Sequence, residues 1–327
     1  MSLPHVFVTR QIPQIGIELL RAHANVRVSS LDRPLTRQEL REAVAQADGV
    51  IGLLSDRIDA AFFDAAPRLR GYANYAVGYD NIDVAEATRR GIPVSNTPDV
   101  LTKATAELAW ALLLAAARRV VETDGVMRSG LWPGWGPLQF IGADVSGKTL
   151  GIVGAGRIGT TTALMSRGFE MRVLYLESPS GRRNPTLDNE LGAECVPLNR
   201  LLAESDFISV HCPLTPETRH LFDMDAFRKM KRTAVLVNTA RGPVIKEDDL
   251  VRALQEGEIA AAGLDVYENE PRMAEGLAAL PNSVLLPHVG SATRSSRKAM
   301  AELAARNLLA MLQGQEPPTC LNPEVLG

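Results

Sequence analysis

The chain has 327 residues, 46% of them hydrophobic and 22% charged, with a formal net charge of −3. That length predicts two domains of roughly 100–200 residues, and the composition excludes a disordered chain. The absence of a basic footprint excludes nucleic acid as the main partner, and the longest apolar run, residues 108–117, falls short of the ~18 residues a membrane span needs.

In chain order, residues 6–9 predict a strand and 13–23 a helix, with Ile15, Ile17, Leu19 and Leu20 at helical spacing. Thr36 opens the next helix with Glu39 three residues on, a capping-box pattern. Strands are predicted at 49–54, 68–74 and 92–95. This alternation argues for parallel β-α-β units in a layered α/β fold. A long helix follows at 105–121, nearly all Ala, Leu and Trp in its middle and therefore covered on most sides. Residues 130–148 are a Gly/Pro/Trp-rich connection. Strands at 149–153, 172–176, 207–210, 234–238, 260–266 and 284–286 then give six in one sheet, the count of a full dinucleotide-binding fold. A last helix at 293–313 has no sheet of its own and is expected to pack back on the N-terminal unit. The domains expected are 1–99 with 291–327, and 100–290.

The start of the chain lacks a basic segment followed by an apolar stretch and a cleavage site, so no secretory leader is expected. Cys195, Cys212 and Cys320 have no short spacing, which excludes a disulfide framework and a cysteine zinc site. No metal is expected, and the expected location is the cytoplasm.

Residues 154–159 read Gly-Ala-Gly-Arg-Ile-Gly, directly after an apolar strand and at the start of a helix. Gly154 allows the tight turn, Gly156 lets the backbone approach a pyrophosphate, and Gly159 lets helix and strand pack closely. Free amides at the helix start then hold the phosphate charge. Gly154, Gly156, Arg157, Ile158 and Gly159 are thus candidate cofactor residues. Thr160-Thr161-Thr162 departs from the pattern, being poor for helix formation. Glu177 ends the next strand, where an acid accepts hydrogen bonds from the adenosine ribose and repels a 2′-phosphate. It favours NAD, while Arg182 and Arg183 a few residues on leave NADP open.

Three further strand ends carry candidate chemistry. Residues 237–242 place Arg241 just past a buried strand, 263–271 place acids at another, and 286–290 place His288 at a third. Ligands of open α/β sheets bind outside the carboxyl ends of the strands, so the set reads as a hydride-transfer site. His211 and Cys212 are adjacent strand residues pointing to opposite faces, and are read as strand-end packing.

The runs GAGRIG, NTARG, AGLDVYENEP and PHVGSAT, in this order, resemble the D-2-hydroxyacid dehydrogenases, and the resemblance covers essentially the whole chain. ANYAVGYDNID (73–83) and TPDVLT (97–102) resemble the glyoxylate/hydroxypyruvate reductase branch. The resemblance implies an α/β fold of two doubly wound parallel-sheet domains with a cleft between them. These are a Rossmann-type nucleotide domain at 100–290 and a flavodoxin-like substrate domain at 1–99 and 291–327. It implies a small 2-keto or 2-hydroxy acid substrate and NAD(P)H as hydride donor. Arg241 matches the substrate-binding Arg, His288 the catalytic acid/base, and Glu270 the acid that pairs with it. Asp265 matches a position on the nicotinamide side, Pro213 and Thr239 line the cofactor cleft, and the amides around Val77 and Gly78 close on the substrate carboxylate. A homodimer is implied, formed through residues 100–150, where Trp132 and Trp135 pack the interface or enter the partner's pocket. Other readings are a phosphoglycerate dehydrogenase, for which the AVGYDN loop offers no extra cation, and a phosphite-oxidising relative, which has Lys where this chain has Ala76 or Val77. A non-catalytic dinucleotide sensor is not excluded by the Arg/Glu/His set.

Overall fold

In the computed structural model, which describes residues 3–326, two series of alternating strands and helices make two units. One comprises the residues up to Leu101 and those from Ser291 onward, the other Thr102–Gly290. The first unit begins β1 (His5–Val8), α1 (Gln14–Arg21), β2 (Asn25–Val28), α2 (Arg37–Val44) and β3 (Gly49–Gly52). It continues α3 (Ala60–Ala65), β4 (Tyr72–Asn74), α4 (Val84–Arg89) and β5 (Val94–Ser95). Its five strands are all parallel, in the order β2-β1-β3-β4-β5, the flavodoxin-like order. The expected capping box is present: Thr36 Oγ1 accepts the Glu39 amide and Glu39 accepts the Thr36 amide. The strand expected at 68–74 is confined to its last three residues, because residues 66–69 form a turn closed by the Leu69 amide on the Ala66 carbonyl at 3.0 Å.

The second unit opens with α5 (Thr102–Ala117) and α6 (Val120–Ser129) in place of the single helix expected at 105–121. The break has a local cause. The returning connection donates the Ala143 amide to the Ala117 carbonyl at 2.8 Å, and Arg119 turns left-handed at φ 55°. The apolar middle of α5 is buried as expected, whereas α6 buries no residue. After the connection come β6 (Thr149–Val153), α7 (Arg157–Met165), β7 (Arg172–Leu176), α8 (Pro185–Leu191), β8 (Glu194–Val196), α9 (Leu198–Glu204) and β9 (Phe207–Val210). Then α10 (Met224–Lys229), β10 (Val235–Asn238), α11 (Glu247–Glu256), β11 (Ala261–Leu264) and β12 (Ser283–Leu285) complete the unit. The sheet has seven strands, one more than expected, in the order β12-β11-β10-β9-β6-β7-β8 and all parallel. The unexpected member is β8, a three-residue edge strand between Gly192 and Pro197, too short to carry a period-2 pattern. The order is that of a doubly wound nucleotide-binding sheet with one added edge strand, its switch point between β6 and β9.

The chain returns to the first unit with α12 (Arg294–Leu312), capped by Thr293 and packed on α1, β3 and β4. Beyond it the tail is bolted to the edge strand β5. Asn322, fully buried, accepts the Val94 amide at 2.9 Å and donates to the Ile92 carbonyl at 2.9 Å and to Thr88 Oγ1 at 3.1 Å. Asn322→Ala would leave buried backbone groups unpaired, a loss of about 1–3 kcal/mol. The expected result is a lower denaturant midpoint for this unit and faster hydrogen exchange at Val94.

Candidate active site

The glycine turn sits between the ends of β6 and β9. Gly154 has φ 98°, and a Cβ on it would lie 2.4 Å from the Cys212 amide nitrogen, so only glycine allows the two strand ends to approach. A Cβ on Gly159 would lie 2.1 Å from the Gly154 carbonyl oxygen, whereas Gly156, the N-cap of α7, faces open space. An uncovered glycine at the start of a helix, beside Arg157 and Ile158, is a cradle of the kind a pyrophosphate fills. The residues present therefore fit a dinucleotide. The Thr160–Thr162 run is accommodated because Thr161 and Thr162 hydroxyls donate back to the Arg157 and Ile158 carbonyls at 2.9 and 3.0 Å. Glu177 is exposed just past β7, Pro213 is exposed just past β9, and Thr239 is buried just past β10.

Arg241 is held by its own turn. Fully buried Asn238 donates to the Arg241 carbonyl at 2.9 Å and accepts the Ala240 amide at 3.0 Å. The following residue sets its neighbours: a Cβ on Gly242 would lie 1.9 Å from both the carbonyl carbon and oxygen of Tyr267. The Arg241 turn and the segment carrying Glu270 thus touch backbone to backbone. Glu270 accepts the Tyr267 amide at 3.1 Å, and His288 Nδ1 lies 2.9 Å from Glu270 Oε2 and 3.2 Å from Oε1. An ionised carboxylate only accepts, so Nδ1 carries the hydrogen and Nε2 is the nitrogen left for another partner.

Burial of Glu270 raises its pKa, but the His288 hydrogen bond and charge, the Tyr267 amide and the Arg241 charge outweigh it and hold the carboxyl below its ordinary value. A carboxyl lowered by folding makes its contribution above the ordinary carboxylate range and loses it as pH falls through the lowered value. The pair thus keeps its negative member throughout the neutral range.

His288 itself adopts φ 55°, an uncommon conformation for a side chain of its size. Asp265, 1% exposed, holds it there: Oδ1 and Oδ2 accept the Val289 and Gly290 amides, each at 2.7 Å. Burial pushes the Asp265 carboxyl up against the pull of those two amides. On the other side of the loop Tyr267 donates its hydroxyl to the Leu286 carbonyl at 2.9 Å.

Several residues of the site have no signal in the sequence. Glu247 accepts the Glu268 and Ala274 amides at 2.7 and 2.8 Å, bracing the segment around Glu270 from both ends. Glu268 in turn meets His220 Nε2 at 2.6 Å. His211 lies between Ser209 Oγ (2.8 Å) and Thr239 Oγ1 (3.5 Å), and desolvation pushes its pKa down to about 3. It is a neutral imidazole packed between two hydroxyls.

Val77 and Gly78 belong to the other unit, in the loop after β4. Asn96 donates to the Val77 carbonyl at 2.7 Å and Asn74 to the Gly78 carbonyl at 2.9 Å. Two side-chain amides thereby fix the loop through its carbonyls. Among the described residues no group of His, Cys, Asp and Glu could hold a metal ion, and no helix is long and apolar enough to cross a membrane.

A sequence model of the family described as "D-isomer specific 2-hydroxyacid dehydrogenase, NAD binding domain" matches residues 110–290. The chain is similar to the glyoxylate reductase of Thermococcus kodakarensis, 55% identical over 99% of this chain and 97% of that one. It is similar at 53% identity, with the same coverage, to the glyoxylate reductase of Thermococcus onnurineus. Among solved structures, the NADPH-dependent glyoxylate/hydroxypyruvate reductase of Sinorhizobium meliloti, in complex with NADP and malonate, superposes with a TM-score of 0.85. It is 33% identical, over 98% of this chain and 97% of that one.

The contact between Gly242 and Tyr267 carries a prediction. Gly242→Ala must push the Arg241 turn and the Glu270 segment apart, and a displacement of about 1 Å at a reacting group costs ~10²-fold in rate. Turnover should fall by that order while dinucleotide binding, measured by fluorescence titration, changes little.

Proposed function

The chain belongs to the D-isomer specific 2-hydroxyacid dehydrogenase family, NAD(P)-dependent oxidoreductases, and we propose that it reduces glyoxylate or hydroxypyruvate to the 2-hydroxy acid. The observation that carries this reading is one sheet edge that presents the Gly154–Gly159 cradle, Arg241 and the Glu270–His288 pair together. The names of its relatives point to the same substrates.

The cofactor, held by Gly154, Gly156, Arg157, Ile158, Gly159, Glu177, Pro213, Thr239 and Asp265, supplies a hydride when bound. The remaining chemistry belongs to side chains. Arg241 grips the substrate carboxylate and polarises the keto oxygen with a planar fork that Lys cannot reproduce. His288 gives the proton on Nε2 to that oxygen. Glu270 stabilises the charged ring through Nδ1 and fixes which nitrogen faces the substrate. Val77 and Gly78, on the other unit, are the further substrate-binding candidates of the family resemblance.

Glu177 makes NAD the preferred cofactor, since a carboxylate and a ribose 2′-phosphate repel one another. The reading places the enzyme in the cytoplasm, in keeping with three unpaired cysteines. It also makes the protein a homodimer through residues 100–150. There α6 and the connection expose Met127, Leu131, Trp132, Trp135, Leu138 and Ile141, an apolar surface of the sort that a second chain covers.

The test is a panel of 2-keto acids with NADH and NADPH, in wild type and three variants, across pH. Glu270→Gln removes the negative partner of His288 Nδ1 and should lower kcat while dinucleotide binding is kept. His288→Ala should cut kcat at every pH by ~10²–10⁴, and Arg241→Lys should raise KM as it lowers kcat. Near-normal turnover in His288→Ala would sink the mechanism, and a preference for other keto acids would sink the substrate assignment.

A further inference from the structure

The segment between β7 and α8, residues 177–184, carries one acid and two arginines where a dinucleotide's adenosine ribose is read. Glu177 and Arg183 stand at its two ends, with opposite preferences for a 2′-phosphate. Their order in the loop does not rank them, and the side-chain contacts of Arg183 bear on the balance. Asp188, on the first turn of α8, accepts Arg183 Nε at 2.9 Å on Oδ2 and Arg183 Nη2 at 3.2 Å on Oδ1, a fork-on-carboxylate pairing. Oδ1 also accepts the hydroxyl of Tyr175 at 2.7 Å. Tyr175 is a buried residue of β7, and its hydroxyl oxygen accepts the Asn184 amide at 3.2 Å.

Asn184 anchors the same corner. Its Nδ2 donates to the Ala155 carbonyl at 2.9 Å and to Thr160 Oγ1 at 2.7 Å, and its Oδ1 caps α8 through the Leu187 amide at 3.1 Å. The backbone next to Arg183 is therefore tied to the glycine turn, and the guanidinium is turned onto a carboxylate aimed by a buried phenol. A lone exposed ion pair holds its partners weakly; this one is oriented from both sides.

We propose that Asp188 and Tyr175 form a clamp that withholds Arg183 from a ribose 2′-phosphate, so that the loop selects against NADP by occupying one of its two arginines as well as by presenting Glu177. The Arg183 hydrogen bond, followed by the Tyr175 hydroxyl and then the Arg183 charge, holds the Asp188 carboxyl below its ordinary value. The proposal rests on the reading that Glu177 makes NAD preferred, and adds to it a second determinant that lies off the ribose.

Binding of ADP-ribose and of 2′-phospho-ADP-ribose, measured by titration calorimetry, separates the two without any turnover. Wild type should bind ADP-ribose the more tightly. Asp188→Asn keeps the shape, and its ADP-ribose affinity, which doubles as a check of folding, should stay within about threefold of wild type. Combined with Glu177→Gln it should tighten 2′-phospho-ADP-ribose by about tenfold or more over Glu177→Gln alone, the worth of a freed guanidinium on a phosphate. Adding Arg183→Ala should remove that increment. Tyr175→Phe, which deletes the hydroxyl that aims Asp188, should give a smaller change of the same sign. If wild type prefers the 2′-phosphorylated ligand, the NAD reading fails and the clamp with it. If wild type prefers ADP-ribose but the increment is missing, or survives Arg183→Ala, the clamp alone is overturned.

Discussion

A parallel sheet puts the carboxyl end of every strand on one edge, and in the seven-stranded unit that edge collects the chemistry. The strands β6, β7, β9, β10 and β11 are followed directly by Gly154, Glu177, His211, Thr239 and Asp265, and His288 lies three residues past the end of β12. Because the sheet is continuous and in register, each end is placed relative to its neighbours to within a strand spacing. Loop chemistry borrows that rigidity. The 3.0 Å bond from the Asp265 amide to the Asn238 carbonyl shows the ladder continuing right up to the Arg241 turn.

The second requirement is that the loops themselves be stiff. Each candidate catalytic side chain is held through backbone groups by a buried polar residue: Asn238 for Arg241, Glu247 for the Glu270 segment, Asp265 for His288. A buried polar group costs free energy unless its hydrogen bonds are made, and here they are made to the loop backbone. The cost of burial is thereby converted into a single loop conformation, including the left-handed His288. Preorganisation of this kind is what the proposed proton donor and carboxylate clamp would need to act without rearrangement.

The two histidines on the edge illustrate how environment divides labour. His211, desolvated between two hydroxyls, is pushed to a pKa of about 3 and stays neutral. His288 faces a carboxylate that remains ionised through the neutral range. The same side chain is desolvated in one place and set against a carboxylate in the other, and its immediate neighbours decide which.

Local chemistry was legible in the sequence by itself. The glycine run required a strand on one side and a helix on the other, the Thr36–Glu39 spacing required a capped helix, and period and length marked most strands and the two sheet-forming series. Arg241, Glu270 and His288 stood out because each follows a buried strand, and parallel topology makes such positions converge. Tertiary structure decided what depends on contacts between segments far apart in the chain. Ala143 returning to the Ala117 carbonyl ends α5 early, β8 exists only as an edge partner of β7, and Gly242 meets Tyr267 across two strand ends. Glu247, Asn238 and Asp265 gained their tasks the same way. Helix caps and strand patterns are written in neighbouring residues because backbone geometry links them at fixed offsets. Which distant backbone amide a buried carboxylate will meet is set by strand order and loop path, and no short-range pattern encodes that.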